Sequence, residues 1–119
     1  MSSVSVEVYG LPHCTTCQRA LQYLRDRGVL ISRFHDLKAE PLQRKEVEEL
    51  AQKVGGPEKL FSRRAMKYRQ MGLHERHLTD DDLLRLMTEE YTFVTRPVVV
   101  RGNRATAGFL AKQLDTLLS

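Results

Sequence analysis

Apolar and polar positions alternate near the start of the chain: Ser5 and Glu7 separate Val4, Val6 and Val8, and Tyr9-Gly10-Leu11-Pro12 follows. A period of two marks a strand with one buried face, and Gly10-Leu11-Pro12 reads as the loop that closes it. From Thr15 to Arg27 the period lengthens, with Cys17, Ala20, Leu21 and Leu24 on one side and Arg19, Gln22, Arg25 and Asp26 on the other. That spacing predicts a helix, and Gly28 stands where a C-terminal cap belongs. Leu30 to His35 reads as a second strand, so strand, helix and strand fall within about thirty residues and form a βαβ unit with parallel strands.

Asp36-Leu37-Lys38-Ala39-Glu40 leads away from that unit. A second amphipathic helix is predicted after Pro41, with Leu42, Val47, Leu50, Ala51 and Val54 on one face and Gly55-Gly56-Pro57 as its stop. Residues 58–78 hold short, basic helical pieces in which Leu60, Phe61, Met66, Tyr68 and Met71 are available for packing. Thr79 then caps a helix opened by Asp80, Asp81 and Asp82, with Leu83, Leu84, Leu86 and Met87 as its apolar face. Past Tyr91 the period returns to two. Phe93 to Arg101 predicts a strand, Gly102-Asn103 a tight turn, and Arg104 to Phe109 an antiparallel return, before Leu110, Leu114, Leu117 and Leu118 mark a closing helix. The order βαβ, helices, ββα predicts an α/β protein with a mixed four-stranded sheet in a thioredoxin-like arrangement. Residues 1–119 form one domain on this reading, with 41–91 as a helical insertion.

Composition narrows the class without changing the fold. With 119 residues, 41% hydrophobic and 29% charged, the chain suits one soluble folded unit and is unlike fibrous or disordered sequences. No apolar run approaches the roughly 18 residues that cross a bilayer. The opening residues lack the basic and apolar regions of a secretory signal, so a cytoplasmic protein without membrane contact is expected. A net charge of +4 favours a small anionic ligand without requiring nucleic acid. No helix-turn-helix signature or long basic arm is present, and direct DNA binding is not expected.

Chemistry concentrates at Cys14-Thr15-Thr16-Cys17, which contains both cysteines of the chain. Cys14 falls at the start of the first predicted helix, where unpaired N–H groups and the helix dipole favour a thiolate. It is the expected nucleophile. The N–H groups of Thr16 and Cys17 lie near its sulfur, and Cys17, one turn on, is placed to resolve an adduct on Cys14 as an intramolecular disulfide. His13 and Arg19 are nearby cations expected to lower the Cys14 pKa further. Two other readings exist for paired thiols. Half a zinc site would need ligands from the scattered His35, His74 and His77, which lack ligand spacing, and no metal is expected; inert buried cysteines fit poorly between Pro12 and a helix start. Pro97 forgoes a ladder hydrogen bond at a strand start, where both a trans and a cis Arg96–Pro97 bond are open. In the predicted fold that segment faces the cysteine loop, and Arg96 either holds an anion beside Cys14 or points to solvent.

Together these stretches resemble the arsenate reductase and Spx family, a glutaredoxin-like group. The resemblance rests on Tyr9-Gly10-Leu11-Pro12-His13-Cys14-Thr15-Thr16-Cys17, Phe34-His35-Asp36-Leu37-Lys38, Leu60-Phe61-Ser62-Arg63-Arg64 with Lys67-Tyr68, and Thr95-Arg96-Pro97-Val98-Val99-Val100 with Gly108-Phe109. It implies a catalytic Cys14, a cis Pro97 and a functional Arg96. Arsenate reductases of this kind hold a tetrahedral oxyanion with three arginines. Arg96 matches one position and Ser62 and Phe109 stand at the others, so the clamp is incomplete unless Arg63, Arg64, Arg101 or Arg104 substitutes. The implied reductant is thioredoxin or glutathione with glutaredoxin, and the second cysteine shifts the expectation toward thioredoxin. The implied activity is a thiol–disulfide oxidoreductase acting on arsenate or another oxidised substrate. The alternative is an Spx-like redox sensor that acts through RNA polymerase.

Overall fold

The computed structural model describes residues 4–119. Two compact units divide the chain: one combines the residues up to Glu40 with Arg96–Ser119, and the other is Pro41–Thr95.

The first unit is built on a four-stranded mixed sheet in the order β2-β1-β3-β4, formed by β1 (Ser5–Gly10), β2 (Leu30–Asp36), β3 (Val98–Arg101) and β4 (Arg104–Ala107). β1 runs parallel to β2, with a register shift between Val6 and Glu7, and antiparallel to β3, which pairs antiparallel with β4. α1 (Thr15–Asp26) supplies the crossover that a parallel pair requires, and α6 (Ala111–Leu118) closes the chain. This is the thioredoxin-like arrangement predicted from the sequence. Val6, Val8 and Val99 form one core with Leu24 and Val29 and with Leu114 and Leu117, because alternate strand residues meet the apolar stripes of both helices. Full burial of a side chain such as Leu24 contributes about 1.5–3 kcal/mol. Gly28 follows α1 with φ +69°, a left-handed turn that ends the helix.

The second unit is helical. α2 (Arg44–Val54) begins at Gln43, whose N–H donates to Glu46 Oε1 at 3.0 Å, and ends at Gly55 with φ +102°. α3 (Pro57–Leu60), α4 (Met66–Gln70) and a 3₁₀ turn at Leu73–Glu75 occupy the region read as short basic pieces. α5 (Asp80–Glu89) opens with a reciprocal cap: Asp82 N–H donates to Thr79 Oγ1 at 3.1 Å and Thr79 N–H to Asp82 Oδ2 at 2.9 Å. Phe61 stacks on Phe93 with ring centroids 5.2 Å apart.

Five expectations about packing and boundaries change. The strand expected from Phe93 to Arg101 is shorter, because Tyr91–Phe93 forms a 3₁₀ turn, Phe93 and Val94 are buried in the helical unit, and pairing in the sheet starts only after Pro97, which has no N–H to donate. The return strand likewise stops at Ala107. Met66 and Met71, read as packing residues, are 78% and 53% exposed. Leu110 precedes α6 and is exposed, so Leu114 and Leu117 carry that helix's buried face. Gly10 is the last residue of β1 and pairs with Asp36, instead of opening the loop.

Candidate active site

Tyr9 pairs with Val98, which brings the loop after β1 and the segment before β3 to the same end of the sheet. Two contacts shape that loop. Cys14 N–H donates to the Leu11 carbonyl at 3.3 Å, and the Gln18 side-chain amide donates to the Pro12 carbonyl at 2.9 Å. Gln18 holds the loop from the first turn of the helix, a contact that the sequence pattern did not reveal because Gln18 is polar and lies outside the apolar stripe. Cys14 is the N-cap of α1, with extended backbone, and its sulfur accepts from the Cys17 N–H at 3.4 Å. A sulfur therefore occupies the place where Ser, Thr or Asp usually satisfies a helix start.

The two sulfurs sit in opposite environments. Cys14 is half-buried and Cys17 fully buried. Burial pushes the Cys14 thiol up, but the hydrogen bonds from the Cys17 thiol and N–H, the charge of Arg96 and the Thr16 N–H outweigh it, so Cys14 ionises below the ordinary thiol value. Cys17 is pushed up to about 12, first by burial and then by its hydrogen bond and proximity to the Cys14 sulfur, against smaller opposing contributions from the Leu11 backbone and Arg96. Of the two thiols, Cys14 is therefore the readier to ionise and Cys17 the readier to keep its proton.

Among the predicted site residues, Cys14, Cys17, Thr16, Arg96 and Pro97 belong to this end of the first unit. The Arg96–Pro97 bond is cis, and the Pro97 carbonyl accepts from Gly108 N–H at 2.8 Å, which fastens the segment after β4 to the start of β3. Arg96 is the cation that acts on Cys14. His13 is exposed, and Arg19 is directed over the Phe109 ring at 5.5 Å, so the expectation that these two residues tune the thiol gives way to Arg96.

The proposed substitute arginines separate. Arg101 lies at the other end of β3, about 10 Å of strand beyond Val98, and donates to the carbonyls of Leu117 at 3.0 Å and Ser119 at 3.2 Å. Arg104 also reaches the Leu117 carbonyl, at 3.5 Å. Both serve the C-terminal end of α6 instead of an anion beside Cys14. Their spacing from Arg96 along a strand carried this information, since each residue of strand adds about 3.3 Å. In the helical unit, Arg63 forms a two-pronged pair with Glu58, at 2.8 and 3.2 Å, which holds the Glu58 carboxyl below its usual range, while Arg64 is exposed.

Gly10 is, after Gln18, a second residue beside the cysteines that the sequence reading missed. A Cβ there would lie 2.8 Å from Cys17 Sγ, inside contact distance. The signal available was a glycine ending a valine-rich strand just before the cysteine loop, a position where close approach of another group is a common reason for glycine.

Comparison with known proteins agrees with this geometry. The ArsC family profile matches residues 9–117, from the end of β1 to the last turn of α6. The uncharacterized protein YusI of Bacillus subtilis is 30% identical over 115 residues, covering 94% of this chain and 97% of its own. The global transcriptional regulator Spx of Lactiplantibacillus plantarum is 25% identical, covering 95% and 86%, and an arsenate reductase of Neisseria meningitidis is 25% identical, covering 95% and 97%. A solved structure of an arsenate reductase from Vibrio cholerae shares the fold, with a TM-score of 0.86 at 24% identity over 98% of this chain and all of that one. The sheet order, the cysteine at the start of α1 and a profile match spanning nearly the whole chain lead to one assignment: the chain belongs to the ArsC family.

Proposed function

We propose that the protein is a thiol–disulfide oxidoreductase in which Cys14 attacks arsenate or another oxidised substrate and Cys17 resolves the adduct. The observation that carries this reading is the asymmetry of the sulfurs: Cys14 is a half-exposed helix cap with a lowered pKa, and Cys17 is buried and raised to about 12. With arsenate, the Cys14 thiolate forms a sulfur–arsenic bond as an oxygen leaves in water. Cys17 then gives up its proton and attacks the Cys14 sulfur, the sulfur–arsenic bond breaks, and arsenic departs as arsenite with the electron pair. The two thiols have become one disulfide, and two electrons have passed to the substrate. Thioredoxin, or glutathione with glutaredoxin, returns those electrons. Capping Cys14 also removes the negative charge and the hydrogen bond that help to hold the Cys17 proton, so the resolving thiol is activated by the step that creates its target.

Purified protein with thioredoxin, thioredoxin reductase and NADPH tests the reading. Arsenate-dependent NADPH oxidation is expected; turnover of the Cys14–Cys17 disulfide without any dependence on arsenate would remove arsenate as substrate and keep the oxidoreductase.

A second reading is favoured by the likeness to Spx and by the engagement of Arg101 and Arg104 at the far end of the sheet: a redox sensor that acts through RNA polymerase. In the helical unit, Arg63 and Lys67 pair with Glu58 and Glu90, while Arg64 and Arg69 are exposed. Capture of polymerase by the reduced or the oxidised protein distinguishes this reading, and failure of capture in both states counts against it.

A further inference from the structure

Six of the seven glycines have positive φ, between +61° and +134°, and need glycine for their backbone conformation. Gly10 is the exception. It ends β1, pairs with Asp36, and its carbonyl accepts from Leu37 N–H at 2.9 Å, all in ordinary strand conformation. Glycine weakens a strand relative to residues with side chains, so its place here needs another cause. That cause is space. The nearest atoms to a Cβ at Gly10 would be Cys17 Sγ at 2.8 Å, Cys17 Cβ at 3.5 Å and Phe34 Cε1 at 3.6 Å. The missing side chain is the volume that the sulfur occupies.

From this geometry we propose that Gly10 is a positioning residue for the resolving thiol: its bare Cα, with the Phe34 ring edge beside it, forms the seat that holds Cys17 Sγ against the start of α1. The proposal rests on the oxidoreductase reading and goes beyond it, because it says why the second sulfur stays buried within reach of the first. Cys17 has a single side-chain torsion that moves its sulfur. A methyl group at residue 10 must either displace β1 from α1 or rotate that sulfur out of its seat, and rotation changes the line of attack on the Cys14 sulfur. The Cys17 thiol leads the groups that favour ionisation of Cys14, ahead of the Cys17 N–H, Arg96 and the Thr16 N–H, so a displaced Cys17 sulfur slows the first step somewhat, while the second step, which also loses its line of attack, slows more.

The step concerned is balanced within the protein and one disulfide. Glutathione disulfide is attacked by the Cys14 thiolate, which forms the Cys14–glutathione mixed disulfide and releases one glutathione thiolate. Cys17 loses its proton and attacks the Cys14 sulfur, the bond to glutathione breaks, and a second glutathione thiolate leaves and takes up a proton. The cysteines are oxidised and the glutathione disulfide is reduced.

The test follows the two steps separately in wild type and Gly10→Ala by quenched mass spectrometry after addition of glutathione disulfide. Mixed-disulfide formation at Cys14 is expected to stay within about threefold of wild type, whereas its conversion to the Cys14–Cys17 disulfide slows by about tenfold or more, so the glutathione adduct accumulates. Equal conversion rates in the two proteins overturn the proposal, and so does an equal slowing of both steps, which would show only general damage. A stability cycle decides the question without activity. Gly10→Ala lowers the denaturation midpoint of the reduced Cys17 protein and lowers it less in a Cys17→Ala background, where the sulfur's volume has been removed. Equal losses in both backgrounds contradict the seat. If Cys14 fails to react with any disulfide, the oxidoreductase reading fails, and the cycle still decides the role of Gly10.

Discussion

Both ends of the sheet in the first unit carry arginine, yet each end uses it differently. At one end the start of α1 offers unpaired N–H groups and a partial positive charge, and the Cys14 sulfur fills that position, its ionisation favoured by the charge of Arg96. At the other end the last turn of α6 offers unpaired carbonyls and a partial negative charge, and Arg101 and Arg104 satisfy them. The same helix physics therefore favours an ionised thiol at one end and a cationic cap at the other. An arginine's role here follows from the helix end it reaches.

The sharpest way to break this contrast is to exchange its arginines one end at a time. Arg96→Gln is expected to slow Cys14 alkylation by iodoacetamide near neutral pH by about three- to tenfold, because losing the positive charge raises the thiol pKa, and one unit is a tenfold change in the thiolate fraction. Arg101→Ala should leave that rate within about twofold. If Arg101→Ala slows alkylation as much as Arg96→Gln does, the two ends are not functionally separate.

Stability should show the reverse order. Arg101→Ala is expected to cost about 1 kcal/mol in urea denaturation, and the double change with Arg104→Ala about 1–2 kcal/mol, through lost bonds to the Leu117 and Ser119 carbonyls. A double variant as stable as wild type would remove the capping role.

An effect of similar size concerns pH. The Cys17 pKa is raised in the folded protein, so its contribution to stability is complete below the ordinary thiol value near 9 and is lost as pH rises from there toward about 12. Cys14 has the opposite sign: its folded pKa is lowered, and the stability it contributes is present above the unfolded value and lost as pH falls through the folded one. The reduced wild type is therefore expected to lose more stability than Cys17→Ala between about pH 8 and about pH 10, read as the shift in urea midpoint. An identical shift in the two proteins would mean that Cys17 does not resist ionisation.

How much of this was legible in the sequence varies with the kind of constraint. Periodicity located β1, α1, α2, α5 and α6, because each has one buried face, and β2, where His35 is the buried residue, followed from its place after α1; the order of elements led to the mixed sheet. It failed at Phe93 and Val94, whose aromatic and β-branched side chains read like strand residues but are buried in the helical unit. Periodicity also gave Met66, Met71 and Leu110 buried faces that they lack, since apolar character alone does not distinguish a core position from an exposed one. The cysteine pair was legible because its chemistry depends on spacing and on a helix start. The partners of the arginines were not, because a guanidinium reaches several ångströms and the carbonyls that Arg101 finds belong to residues 16 and 18 positions away. Gly10 escaped for a related reason: the sequence records that a side chain is absent and leaves open which atom occupies its place.

The central claim is that the start of α1 makes Cys14 a nucleophile while Cys17 remains protonated. The pH dependence of alkylation, with each modified residue located by mass spectrometry, tests it most directly. Modification confined to Cys14 with an apparent pKa below the free-thiol value of about 8.5 is the predicted result. Equal modification of Cys17, or a Cys14 profile centred at or above that value, would contradict the account.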